Sequence, residues 1–319
     1  MSEELVFSSN EANRSNLLSL EQKLSLIEEA RICELAEIAY DAASFTKDLL
    51  GDGELTYIDA LALISEDFVN RRPVIHKEAL EENKKRLSEY SASLSYLDKA
   101  ALAQLYVLRL KETGITVSEA DYLQDSNSKS TFVYVKNSFA DEAYDVFSEE
   151  FSDPRVKYTE SFKEAVNTVK DGEAAFCLLP LEERGERLPG VSELIFSEDM
   201  KIASVTPVFG FYGDADMKYA LISRSFRIPP VMPDDDRYLE IRIPADGENS
   251  ISELLLAAKS CGADVWRVNS KFFITDGEQK QYFSLIFKEE GREFTELLTY
   301  LTLFVPSYTA VGIYKNLEL

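Results

Sequence analysis

The apolar positions change rhythm three times along the chain. From Ser19 to about Gly114, Leu20, Leu24, Ile27, Ile32, Leu35 and Ile38 recur near helical spacing among Glu and Lys, which predicts a long first helix. Gly51-Asp52-Gly53 breaks it, and shorter helices are expected around Tyr57–Val69, Lys77–Leu94 and Leu97–Glu112. Residues 1–124 therefore read as a helical bundle with solvated charged faces. Asp125–Ser130 contains no large apolar residue and predicts a linker.

Residues 131–227 then alternate strand and helix. Thr131–Val135 is β-rich, Ala140–Phe151 helical, Val156–Thr159 a short strand and Phe162–Lys170 a helix closed by Gly172. Ala174–Leu179 reads as a buried strand, followed by extended runs at Ile202–Phe211 and Tyr219–Ser223. Such alternation predicts a mainly parallel α/β sheet. Ile228-Pro229-Pro230 to Asp236 forms a second, stiff and acidic linker. Residues 237–319 carry strand Tyr238–Ile243, helix Ser250–Cys261, strands Val265–Thr275 and Gln281–Phe287 around Asp276-Gly277, helix Phe294–Leu303 and strand Thr309–Tyr314. That order is the ferredoxin-like βαββαβ arrangement. The fold class is thus multidomain α and α/β: an N-terminal helical bundle, a single-lobed α/β domain and a C-terminal ferredoxin-like domain.

Charge and scarcity narrow the chemistry. In 319 residues, 57 Asp and Glu oppose 34 Lys and Arg, a formal charge of −23, which disfavours nucleic acid and anionic membrane surfaces as partners. The longest apolar run, Ala174–Leu181, is far too short to span a bilayer, and Met1–Asn10 is mixed and acidic, unlike a secretory leader. Cys33, Cys177 and Cys261 lie far apart in apolar patterns, as reduced core thiols of a cytoplasmic protein would. The lone histidine, His76, fits a surface or helix-start position better than a metal site. Asp234-Asp235-Asp236 lacks the spacing of a calcium loop and reads as solvated linker. Of the 35 Tyr and Phe, residues such as Phe132, Phe176, Phe273 and Phe287 sit at core positions. Phosphate-loop, dinucleotide and nucleophile-elbow motifs are missing, so neither metal nor cofactor is expected.

Against that background the middle segment resembles prephenate dehydratase. Val133-Tyr134-Val135-Lys136-Asn137-Ser138-Phe139-Ala140 stands where that family has a strand and a Gly-rich loop ending Thr-Phe-Ser. Ser161-Phe162 through Val169 matches its Ser-Phe helix, Gly172-Glu173-Ala174-Ala175 its Gly-x-Ala-Asp strand, and Pro180-Leu181-Glu182-Glu183-Arg184 its Pro-Ile-Glu-Asn-Ser segment. Met217-Lys218-Tyr219 stands at its Thr-Arg-Phe. The last segment resembles an ACT domain, an effector-binding unit of amino-acid biosynthetic enzymes. The N-terminal helices occupy the place of the chorismate mutase domain of the bifunctional P-protein, with Arg72-Pro73-Val74 as the one local similarity.

What the resemblance implies about chemistry is mostly loss. Dehydration of prephenate needs a proton donor for the departing hydroxyl, a role the family gives to the Thr now replaced by Met217, whose thioether has no proton to give. Lys218 keeps the charge of the family's Arg without its bidentate fork. Glu183 brings a carboxylate where prephenate is dianionic, and the loop at Ser138 and Phe139 has no glycine to free backbone N–H groups. Between Pro180 and Met217 lie 217 − 180 = 37 positions, too few for the family's second lobe, so a one-walled cleft is expected. Ser138, Phe139, Glu182, Met217 and Lys218 are accordingly expected as vestigial positions, with no catalytic residues among them.

The ACT resemblance places an effector site at Asn249, Ser250 and Ile251, opening the first helix, and at Asn269, Ser270 and Lys271, which match a segment that in that family follows the second strand. The helix start offers N–H groups to a carboxylate, but Asn269 replaces the family's Glu opposite the ligand's ammonium. Three expectations stand: a regulatory or interaction protein of aromatic amino-acid metabolism, with an aromatic amino acid as effector and a homodimer formed through the ACT-like domain; an active enzyme of the same pathway, with a rebuilt dehydratase site or a mutase site built from Arg31, Arg71, Arg72, Lys84 and Arg109; or a structural dimer without ligand.

Overall fold

The computed structural model of the chain describes residues 22–44, 89, 91–112, 114, 118–119, 130–209, 217–245, 250–275, 278–305 and 307–317. Gly51–Gly53, His76, Arg71 to Pro73, Lys84, Asn249, Asp276-Gly277, the helix around Tyr57–Val69, most of the Lys77–Leu94 helix and of the first linker, and the Phe273 side chain lie outside the described residues.

Helix α1 covers residues 22–44, and α2 is Tyr96–Glu112. They meet through Leu35, Ala39, Leu94 and Leu102, with Ile38 packed alongside. Contact begins at Arg31, whose Nε and Nη2 donate to the two Asp98 oxygens at 3.2 and 2.9 Å. Leu24 and Ile27 upstream of it and Ile32 just after it are exposed, so only the later part of the expected stripe is buried. Cys33 is exposed as well, correcting its expected place in a core, whereas Cys177 and Cys261 are buried and all three thiols are free.

The middle unit runs β1 (Thr131–Val135), α3 (Ser138–Ser148), β2 (Arg155–Thr159), α4 (Phe162–Lys170), β3 (Phe176–Glu183), β4 (Glu186–Arg187), α5 (Pro189–Ser197), β5 (Lys201–Val208) and β6 (Met217–Ser223). Ser161 caps α4, its Oγ accepting from Glu164 N, while Glu164 Oε2 accepts from Glu160 N. The sheet order is β2-β1-β3-β6-β5, with β4 hydrogen-bonded to β3. Strands β1, β2 and β3 are parallel, but β6 is antiparallel to both neighbours. The sheet is therefore mixed rather than mainly parallel. The cause is the short connection over 209–216: a parallel crossover needs a dozen or more residues, so β6 must turn back along β5.

The C-terminal unit runs β7 (Asp236–Pro244), α6 (Ile251–Ser260), β8 (Asp264–Thr275), β9 (Glu278–Glu290), α7 (Thr295–Phe304) and β10 (Thr309–Lys315). Its order is β10-β7-β9-β8, every pair antiparallel, which is the ferredoxin-like topology. Helix α6 ends at Gly262, whose φ of +81° lets the Ala263 N–H turn back onto Ala258 O. Leu239, Ile241, Leu285 and Phe287 face α6 and α7. Ala100, Ala103, Tyr106 and Leu110 form one stripe of α2 and join that same cluster, so α2 is a third layer over the C-terminal unit.

The opposite face of the same sheet, through Tyr238, Ile286, Val311 and Tyr314, shares a core with Val205, Ile202, Leu181 and Ala220 of the middle unit. Strand β10 lies directly on β5. Leu317 N donates to Val205 O at 2.7 Å, Lys201 Nζ reaches Ala310 O at 3.4 Å, and a Cβ on Gly312 would stand 2.3 Å from Ile202 O. Only glycine allows that approach. No described helix is long and apolar enough to cross a membrane.

Candidate functional site

The five positions singled out in the sequence lie at the carboxyl ends of β1 and β3 and the start of β6. In the hairpin after β3, Arg184 and Gly185 have φ of 52° and 77°, the pattern of a two-residue type I′ turn. It sets Arg187 opposite Glu182, just as Lys218 stands opposite Glu182 from β6. Sequence reading had passed over Arg187. Its signal was the Arg-Gly turn flanked by Glu183 and Glu186, which fixes that register.

Glu182 is 5 % exposed and encircled by cations. Arg187 Nε lies 3.0 Å from Oε1, Arg267 Nη1 of β8 donates to Oε1 at 2.6 Å, and Lys218 Nζ is 3.8 Å from Oε2. Arg187 reaches on into the C-terminal unit, donating through Nη2 to Glu240 Oε2 at 2.6 Å and to the Tyr314 hydroxyl at 3.1 Å. Tyr314 and Ser284 complete the shell of Glu240 at 3.1 and 3.3 Å. Burial alone would raise the Glu240 carboxyl, but Arg187 and Arg242 outweigh it and hold the group below the usual carboxylate range. Burial lowers Arg242 to about 10, with Arg187 pushing the same way against Glu240. The network is thus a run of alternating charges across the seam between two units. The space bounded by Glu182, Arg187, Lys218, Trp266 and Arg267 is about 20 Å³, room for one water.

Met217 is on the other side of the sheet. Side chains alternate along a strand, so Lys218 faces the seam and Met217 the α3 side. There Met217 and Phe139, both half-buried, pack against the cluster of Phe132, Tyr134, Phe147 and Tyr219. Ser138 is exposed at the first turn of α3. The segment matching the family's anion loop is instead a helix cap: Asn137 Oδ1 accepts from Ala140 N at 2.9 Å and from the Tyr219 hydroxyl at 3.3 Å. One N–H of that turn is used internally, and Asp141 in the same turn disfavours an anion. The five positions therefore separate, Glu182 and Lys218 to one face and Ser138, Phe139 and Met217 to the other.

In the C-terminal unit, Ser250 caps α6, its Oγ accepting from Glu253 N at 3.4 Å, and Ile251 is half-buried beneath it. Asn269 is half-buried and Ser270 exposed. Lys271 turns toward the middle unit, where its Nζ donates to Ser192 Oγ of α5 at 3.0 Å. Burial lowers the Lys271 ammonium, and Arg187 adds to the effect. Pro244 pairs with Tyr282 and Tyr282 with Lys271, so the end of β7 that leads toward Ser250 lies at the same end of the sheet as Lys271. Of the mutase cations, Arg31 binds Asp98 and Glu34 while Arg109 binds Glu112. Their anchors along α2, Asp98 and Arg109, are about 16 Å apart at 1.5 Å per residue.

The sequence matches no family model and no curated protein. Among solved structures, the chain is similar to prephenate dehydratase from Streptococcus mutans, with 13% identity over 60% of this chain and 100% of that one and a TM-score of 0.46. It is also similar to GqqA, described as a novel type of quorum quenching acylase, at 16% identity over 59% and 95% with a TM-score of 0.44. Prephenate dehydratase in complex with L-Phe from Arthrobacter aurescens follows at 12% identity over 58% and 90%, with a TM-score of 0.39.

Proposed function

We propose that the chain is a non-catalytic relative of prephenate dehydratase, acting as a regulatory or interaction protein of aromatic amino-acid (L-phenylalanine) metabolism. The observation that carries this reading is Glu182. At the position the resemblance gives to the family's Pro-Ile-Glu carboxylate, it is buried beneath Arg267 of the C-terminal sheet in a seam with room for one water. A substrate-sized anion does not fit there, and Met217, whose thioether stands where the resemblance gives the family a hydroxyl, packs into a hydrophobic cluster on the opposite face. The purified full chain is expected to form no phenylpyruvate from prephenate. Turnover above the uncatalysed rate that disappears in Lys218→Ala would overturn the proposal.

The same reading assigns the C-terminal unit to dimer formation. Strand β8 is the free edge of its sheet, and Val265, Val268 and Phe272 on it, with Leu256 of α6, are 39, 41, 61 and 49 % exposed. A twelve-residue edge strand carrying such exposed apolar side chains is a template for pairing with a second copy. Calorimetry with phenylalanine and tyrosine on the full chain tests the effector part, where saturable heat for either supports a sensor and flat traces for both leave the interaction role alone.

A further inference from the structure

A second cavity, remote from the seam, lies where α2 crosses the C-terminal unit. It is partly open, about 330 Å³, and is lined among others by Glu289, Glu296, Glu293, Arg292, Lys111 and Cys261. Glu289 projects from the end of β9 and is 4 % exposed, yet its Oε2 has no hydrogen-bond partner. A buried carboxylate oxygen without a donor is costly, so Oε2 favours an occupant of the cavity that brings one. Gly262 keeps the approach open, since a Cβ there would stand 3.2 Å from Glu289 Oε1 and 3.6 Å from Arg292 Nη1. Glu293 is already engaged by the Thr295 hydroxyl at 2.8 Å.

We propose that this cavity binds a small ligand carrying a protonated primary amine, with Glu289 as the carboxylate that receives it. The volume suits a molecule of amino-acid or diamine size. Once Glu289 gives up its proton, three carboxylates face two cations, which favours a positive head group, and the three N–H donors of an ammonium can be shared between Glu289 and Glu296. Arg292 and Lys111 at the cavity wall are positioned to accept a carboxylate where the ligand has one.

The electrostatics agree. Burial pushes the Glu289 carboxyl up to about 8; Glu119 and Glu296 push the same way, while Arg292 and Arg237 pull it down. Burial also raises Glu296 against Arg292. With Lys111, Glu293 and Cys261 these are the charged and titratable groups around the site, and burial keeps the Cys261 thiol neutral, at about 11. An ammonium that needs an ionised Glu289 displaces its proton. Affinity then rises with pH up to about 8, by about tenfold per unit, and each ligand bound releases about one proton near neutrality.

The test is calorimetry on the full chain with butylamine, 1,4-diaminobutane and alanine as separate probes, in two buffers of different ionisation heat. The expected result is saturable binding of at least one amine in about the millimolar range or tighter, with proton release, lost in Glu289→Gln. Tighter binding of alanine than of butylamine would identify an amino acid as the occupant; the reverse would identify a simple amine. Absence of saturable binding for all three probes, or binding unchanged in Glu289→Gln, would overturn the proposal. Should Glu289→Gln fail to fold by circular dichroism, Glu296→Gln takes its place: a weakening of about threefold or more supports the site, and unchanged affinity refutes it.

Discussion

Replacement of Gly312 by alanine probes the contact that closes the seam. The added Cβ would lie 2.3 Å from Ile202 O and 3.1 Å from the Ile202 carbonyl carbon, where ordinary contact begins at 3.4 Å. Both neighbours are backbone, so no side chain can swing aside, and β10 has to retreat from β5 by about 1 Å, the gap at which a quarter to a half of each dispersion contact is forfeited. The retreat stretches the Leu317 N to Val205 O bond, now 2.7 Å, and the Thr206 hydroxyl's contact with Leu317 O, now 3.3 Å. Overpacking of this kind costs about 1–3 kcal/mol, and each weakened hydrogen bond about 1 kcal/mol more. A total near 3 kcal/mol lowers the urea midpoint by about 1 M or more. Gly190→Ala is the control, because a Cβ there meets nothing within 4 Å and its place in α5 favours alanine by about 0.5 kcal/mol or more. The assay is urea denaturation followed by circular dichroism, with limited proteolysis around residues 224–236 as a second readout of separation. A Gly312→Ala midpoint equal to that of the native chain would refute the close docking of β10 on β5.

Three further outcomes are expected. Glu182→Gln leaves the Arg187 and Arg267 guanidinium groups facing a neutral amide in a buried seam and lowers stability by about 3 kcal/mol in equilibrium unfolding; a loss below about 1 kcal/mol would mean the seam is wet and the carboxylate dispensable. Phe272→Glu, on the exposed edge of β8, is expected to shift sedimentation from dimer to monomer without lowering the melting temperature of the monomer. Glu289 titrates at about 8 in the folded chain against an ordinary carboxylate value of 4.5, so folding takes up a proton in between. Its contribution to stability is full below about 4.5, falls as pH rises toward 8 and is flat above, and Glu289→Gln removes that decline from a pH series of unfolding curves.

The C-terminal unit was legible because its local signals agree: alternating strands, a helix with a Ser cap and a glycine stop, and an Asp-Gly turn between two β-rich runs. The Ser161 cap and the single sheet of residues 131–223 were legible for the same reason. The direction of β6 was not, since strand polarity depends on the length of a loop and on a partner forty residues away rather than on local pattern. The seam was illegible for a similar reason. Nothing near Glu182 in the sequence announces that Arg267, 85 positions on, bonds the same oxygen. Helix α2 showed an amphipathic pattern, but its small residues Ala100 and Ala103 serve to admit α6 and α7 rather than a bundle partner. Pattern marks a face as buried without saying what buries it.

The position of the C-terminal sheet gives the separated site its physical logic. In an open cleft Glu182 would be a solvated carboxylate, free to accept a proton or to position a substrate group. Here it has traded water for three cations, one of which belongs to a different unit. A single unpaired charge in such a seam would be costly, whereas each charge here faces one of opposite sign, from Lys218 and Arg267 on Glu182 through Arg187 to Glu240. Any motion that reopened the cleft would break Arg267 from Glu182, Arg187 from Glu240 and β10 from β5 together, so the closed arrangement is cooperative rather than a lid resting on a pocket.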